Sequence, residues 1–104
     1  MPVYLITDVE VTDPEQYKHY TRAGHDAAVK HGGRFLVEGG TPSLVEGSWL
    51  PRRMAIVEFP TREAALRFYH SEEYTRAREK REHAAIFNMI LVDGVRGSAE
   101  GGSS

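Results

Sequence analysis

A strand bracketed by two glycine pairs constrains this chain more than any other feature. It is the stretch GGRFLVEGG, Gly32 to Gly40, and it must be read with a second stretch, Met54 to Tyr69, that passes from strand through Pro60 into helix. Glycine accepts the left-handed backbone that closes a helix, so Gly32-Gly33 marks the end of a preceding helix. Gly39-Gly40 marks a bend or bulge at the far end of the strand. Neither a dinucleotide-binding nor a Walker-type glycine motif occurs, so the pairs are not phosphate loops.

The rest of the chain falls into place around these stretches. Val3 to Val11 alternates, with Val3, Leu5, Thr7, Val9 and Val11 on one face and Tyr4, Ile6, Asp8 and Glu10 on the other, which predicts a strand. Asp13 is a helix cap, Pro14 suits the first helical position, and Gln16 stands at capping-box spacing. Tyr17, Tyr20, Gly24, Ala27, Ala28 and His31 then share one helical face. Arg34 to Glu38 is a second strand, with Phe35 and Val37 pointing one way and Arg34, Leu36 and Glu38 the other. Ser43 to Glu46 is a candidate short edge segment, followed by a loop that carries the single tryptophan, Trp49. Arg53 to Phe59 is a third strand, with Ala55, Val57 and Phe59 opposed to Met54, Ile56 and Glu58. A second helix opens at Pro60-Thr61, breaks at the fresh cap Ser71-Glu72-Glu73, and continues at helical spacing through Tyr74, Ala77, Arg81, Ala84 and Ala85. Ile86 to Asp93 is a fourth strand.

The order βαββαβ predicts an α+β domain of ferredoxin-like type: one four-stranded antiparallel sheet with two helices on one face. A length of 104 residues suits a single domain, placed at 1–95, with 96–104 as a flexible Gly/Ser-rich tail. The helix-free face would carry Tyr4, Ile6, Leu36, Met54, Ile56 and Ile90. Apolar surface of that extent marks an interface, and two such faces packed about a two-fold axis give a homodimer.

The blocks GGRFLVEGG and EFPTREAALRFYHSEEY together resemble the family known as domain of unknown function 1330, over roughly the first 93 residues. The resemblance implies a dimeric α+β barrel. That superfamily includes cofactor-free monooxygenases, muconolactone isomerases, haem-degrading enzymes and non-catalytic stress proteins. Two functional readings follow and stay open. One is a small dimeric enzyme, monooxygenase- or isomerase-like, acting without a cofactor on a small aromatic or carbonyl-bearing metabolite. The other is a non-catalytic dimeric ligand-binding or stress-related module.

Several function classes lack support. A net charge of −2 with interspersed signs offers no basic stripe for nucleic acid. With no cysteine there is no disulfide and no thiolate chemistry. No apolar run approaches the ~20 residues of a membrane span, and a cytoplasmic protein is the expectation. His19, His25 and His31 are six apart and fan around their helix instead of sharing a face, while Glu79 and His83 sit in a charged, solvated run, so no metal site is expected. No nucleophile-elbow motif occurs.

The candidate site residues come from the inferred topology. Taking the first and third strands as parallel neighbours brings Asp8 and Glu58 to the same strand ends, with Arg34 beside Glu58 and Asn88 beside Asp8. Two carboxylates sharing one arginine should differ in acidity, so Asp8 or Glu58 is the candidate base, and Arg34 and Asn88 the candidate ligand contacts. An ion-pair network lining a dimer is the competing reading. Tyr17, Tyr20, Tyr69 and Tyr74 are core residues first; of these Tyr20 and Tyr69 are further ligand candidates. Trp49 with Arg52 and Arg53 is either a lid or anion clamp or, as favoured, a contact with the partner subunit. Arg78 and Arg81 are either carboxylate ligands or, as favoured, surface charge.

Overall fold

In a computed structural model of the chain, described over residues 1–95, the elements run β1 (Val3–Val11), α1 (Pro14–Lys30), β2 (Arg34–Gly40), β3 (Met54–Phe59), α2 (Arg62–Tyr69), α3 (Glu72–Lys80) and β4 (Ala85–Asp93). The four strands form one sheet in the order β2-β3-β1-β4, and every neighbouring pair is antiparallel. This is the ferredoxin-like α+β arrangement. The tail placed at 96–104 lies outside the described residues.

One expectation is overturned. β1 and β3 are antiparallel, not parallel, with Tyr4 opposite Glu58 and Asp8 opposite Met54. The reason is topological. Helix α1 carries the chain back, so β2 runs in the same direction as β1; the β2–β3 connection then reverses it, and β3 meets β1 head to tail.

The helices are set by their ends. Asp13 caps α1 by accepting from the Gln16 backbone N–H at 3.2 Å. Gln16 does not complete the capping box: its side-chain amide donates to the Lys80 carbonyl at 2.9 Å, tying the start of α1 to the end of α3. Gly32, at φ +92°, takes the left-handed turn that ends α1. Thr61 caps α2 and Ser71 caps α3, so the break expected at Ser71 is present and the sheet carries three helices instead of two. Helix α3 stops at Lys80, short of the expected Ala85, because residues 81–84 form a turn in which His83 adopts φ +66°. Ser43 to Glu46 is not a strand.

The odd residues of β1 face the helices as their alternation requires: Val3, Leu5, Thr7 and Val9 are buried, with Val57 and Phe59 beside them on β3. Ala27 and Ala28 of α1, Ala64, Ala65 and Phe68 of α2, and Tyr74 and Ala77 of α3 close the core. The even residues form the opposite, helix-free face, where Ile86 and Ile90 are 56% and 58% exposed and Leu36 and Val92 are also exposed.

Strand β2 departs from simple alternation. Phe35 pairs with Val57 but Val37 pairs with Ile56, so Leu36 is an extra residue, and a second irregularity follows between Glu38 and Gly40. One added residue inverts the phase of a strand. Val37 therefore falls in line with Ile56 on the open face, and Glu38 falls in line with Ala55 on the helix face.

Candidate functional site

The predicted cluster does not converge. Arg34 does meet Glu58, donating from Nη2 at 2.8 Å and from Nε at 3.1 Å, and the Tyr4 hydroxyl donates to the same carboxylate at 3.2 Å. Asp8, however, sits four residues further along β1 than Tyr4, the partner of Glu58, which is about 13 Å along a strand. Asp8 accepts from the Arg52 backbone N–H at 2.9 Å, and Asn88 stands opposite it on β4. The open face thus holds two separate polar groups, one at each end, because β3 runs against β1. No single ligand atom can reach both carboxylates.

The concave site lies on the other face. Between helix α1 and the sheet lies a partly open cavity of about 80 Å³. Tyr17, Tyr20 and Gly24 of α1 line one side, and Thr7 of β1, Phe35 of β2, and Phe87 and Met89 of β4 line the other. Gly24 makes the shape possible: a Cβ there would lie 3.0 Å from the Tyr20 ring, so the ring occupies the room that a side chain would take.

Three polar side chains gather at the edge of this cavity. His25 Nδ1 and Glu38 Oε2 are 2.7 Å apart. The imidazole stacks on Phe35, ring centres 4.6 Å apart at an angle of 16°. Arg53, one residue before β3, places its guanidinium 5.8 Å from the centre of the Tyr17 ring. All three of these residues also line a wider open groove that continues outward past Lys18 and Arg22.

Inside, the Tyr20 and Tyr74 hydroxyls share a hydrogen bond of 2.6 Å. Burial pushes the Tyr20 hydroxyl well above the ordinary phenol range, and the neighbouring Tyr74 pushes the same way. Burial likewise raises Tyr17, while the Arg53 charge pulls against it. Both hydroxyls therefore stay protonated at neutral pH and can donate to an oxyanion. Behind them Arg81 lies 3.7 Å from the Phe87 ring centre and 5.2 Å from that of Tyr20.

Of the predicted ligand residues, Tyr20 lines the cavity and Tyr69 does not. Tyr69 instead accepts from Arg78 Nη1 at 3.2 Å, with the guanidinium 4.5 Å above its ring. Trp49 is 71% exposed on the loop between β2 and β3. Among the described residues no group of three or more His, Asp and Glu side chains is placed to hold a metal ion, and no helix is long and apolar enough to cross a membrane.

His25 and Glu38 were not among the predicted site residues. Simple alternation puts Glu38 on the open face, and only the bulge at Leu36 turns it toward α1. The available signal was the second glycine pair, which directly follows Glu38 and marks irregular strand geometry beside a site. His25 follows Gly24, and a glycine on the inner face of a helix is a mark of close packing.

The model of the family described as "Domain of unknown function (DUF1330)" matches residues 2–95. No curated protein matches the sequence. Among solved structures, the chain is similar to RPA0582, a protein of unknown function from Rhodopseudomonas palustris, with TM-score 0.73 and 18% identity over 91% of this chain and 83% of that one. It is similar to SnoaB, a cofactor-independent oxygenase from Streptomyces nogalater, with TM-score 0.68 and 11% identity over 91% and 94% of the two chains. It is also similar to a dimeric protein of unknown function and ferredoxin-like fold from Bacteroides fragilis, with TM-score 0.57 and 13% identity over 89% and 96%. At these identities the likeness establishes the fold.

Proposed function

The chain belongs to the DUF1330 family, and from the geometry of its cavity we propose that it is a small-molecule enzyme that removes a proton from a phenolic or enolisable ligand, using His25 as base and Glu38 to orient it. The observation that carries this reading is the 2.7 Å contact between His25 and Glu38 at the edge of a tyrosine-lined cavity. An ionised carboxylate only accepts hydrogen bonds, so Glu38 fixes the proton on Nδ1 and leaves Nε2 as the acceptor. The ligand O–H or C–H proton moves to Nε2, and its electron pair stays on the ligand as phenolate or enolate. Glu38 stabilises the imidazolium, and the protonated tyrosines donate to the developing oxyanion. The anion then reprotonates at another carbon, an isomerisation, or its electron pair forms a C–O bond with dioxygen, giving a hydroperoxide that takes the proton back from His25, an oxygenation. The neighbour SnoaB, described as a cofactor-independent oxygenase, supports the second outcome.

Deuterium exchange tests the proton step without knowledge of the product. A panel of phenols, 1,3-dicarbonyls and butenolides in D2O should contain members whose exchange is catalysed. His25→Gln should slow that exchange by about 10²- to 10⁴-fold, and Glu38→Gln by less, with an altered pH profile. Panel members that bind but never exchange would instead favour the non-catalytic binding module.

A homodimer through the open sheet face is part of the same proposal. The exposed Leu36, Ile86, Ile90 and Val92 support it, as does the dimeric neighbour from Bacteroides fragilis. The Arg34–Glu58–Tyr4 network and the Asp8–Arg52 contact then belong to the interior between two sheets, and Trp49 to the partner contact. A cytoplasmic location completes the reading, since the chain has no cysteine for the disulfides on which many small secreted domains depend.

A further inference from the structure

We propose that Arg53 is the anion-recognition residue of the cavity, and that the molecule it recognises is a small aromatic carboxylate, ring inward and carboxylate outward. This rests on the cavity as the binding site but not on His25 as a base.

The first observation is an arginine held in place without a counter-charge. Arg34, Arg52, Arg62 and Arg76 each have a carboxylate partner; among the described residues Arg53, like Arg22, Arg67, Arg78 and Arg81, has none within 4.0 Å, and of these five Arg53 is the one that lines the cavity. Glu38, the carboxylate that shares its cavity edge, is engaged by His25. Arg53 is exposed and cannot lose its charge at any working pH, so a ligand that covers it has to supply the counter-charge that water otherwise screens.

The second is that the backbone is shaped around the guanidinium. Gly39 has φ +78°, and a Cβ on it would lie 2.9 Å from Arg53 Nη2 and 3.1 Å from Nε. A side chain at position 39 would push the guanidinium aside and strain the left-handed backbone there. The Tyr17 ring holds it from another side, with the cation 5.8 Å from the ring centre.

The third is the division of the site into an apolar end and a cationic end. The inner wall is aromatic, with Tyr17, Tyr20, Phe35 and Phe87. At about 80 Å³ the cavity is smaller than the ~150 Å³ cavity that takes up a free benzene ring, and it is open on one side. A ring therefore enters only in part, and its substituent emerges beside Arg53. The groove beyond adds Lys18 and Arg22 against Asp26 and Glu38; of these, Lys18 is paired with Glu15 and Glu38 with His25. Arg81 backs the inner wall through Phe87 and Tyr20, and its Nε is buried with no hydrogen-bond partner. The planar fork of Arg53 matches a carboxylate through two parallel hydrogen bonds.

Binding of benzoate, benzamide, benzyl alcohol and phenyl phosphate, followed by calorimetry on the full chain, tests this. Benzoate should bind at least tenfold tighter than benzamide, and raised salt should narrow the gap. Arg53→Gln should remove that preference while benzyl alcohol binding stays within twofold. Arg53→Lys should keep part of it, and Gly39→Ala should weaken benzoate selectively. The readout is binding and not turnover, so a benzoate preference without any catalysed exchange would uphold this inference while the proton-transfer reading fails. Equal affinity for benzoate and benzamide, no binding of any probe, or full benzoate affinity in Arg53→Gln would overturn it. A preference for phenyl phosphate over benzoate would overturn the carboxylate assignment. Should Arg53→Gln fail to fold, the wild-type benzoate-to-benzamide ratio and its salt dependence decide alone.

Discussion

Tyr20 on α1 and Tyr74 on α3 face each other across the helix layer with their hydroxyl oxygens 2.6 Å apart. Tyr74 is 1% exposed and Tyr20 9%, so neither hydroxyl has water as a ready substitute partner. The pair joins the two helices and forms the polar floor of the cavity.

Removing one member should therefore cost more than half of removing both. Tyr74→Phe leaves the Tyr20 hydroxyl buried and unpaired, at a cost of about 1–3 kcal/mol. The double change to phenylalanine removes the orphan and should cost less than the sum of the single changes. Urea unfolding of the two single variants and the double variant measures the coupling, and strict additivity would show that the hydroxyls do not depend on each other.

Acid stability turns on a different contact. Glu73 in the first turn of α3 accepts from Lys30 and from His31 at the end of α1. The Lys30 hydrogen bond, helped by the Glu73 backbone N–H and by His31, brings the Glu73 carboxyl down to about 2 from 4.5. A group whose folded value is lowered stabilises the fold above its unfolded value and loses that contribution as the pH falls through the folded one. Glu73→Gln should therefore flatten the fall in Tm between about pH 4.5 and pH 2. Parallel profiles for the two proteins would show that the contact is not formed in solution.

The open sheet face makes its own prediction. Ile90 is 58% exposed in one protomer, so a charge there should leave the protomer fold intact. Between two packed sheets the same charge would be buried and unpaired, which costs about 3–5 kcal/mol. Light scattering should give twice the 11.7 kDa chain mass for the wild type and the single mass for Ile90→Asp. A wild-type monomer, or an Ile90→Asp dimer of undiminished affinity, would contradict the sheet-to-sheet assembly.

Much of the fold was legible because it follows from local chemistry. The alternation of Val3 to Val11, the caps at Asp13 and Ser71, and the helix stop at Gly32 each act within a few residues, and each is found where its residues placed it. The site was less legible because it depends on strand direction and phase. Asp8 and Glu58 were joined by a parallel pairing that the β2–β3 reversal forbids. Glu38 was assigned to the wrong face because alternation carries no record of an inserted residue, and the bulge at Leu36 shows only in the pairing with β3. The charge at Arg53 was noticed as a clamp candidate, but its tie to the cavity needed Gly39 and Tyr17 in space.

The most direct test of the cavity as the functional site is a backbone and side-chain NMR titration with the members of the small-molecule panel that bind. Shift changes should centre on Thr21, Gly24, His25, Gly39 and Arg53, with the His25 imidazole resonances moving most. Changes centred on Arg34, Glu58 and Asp8, with the His25 and Arg53 resonances still, would place the site on the open face and contradict the assignment.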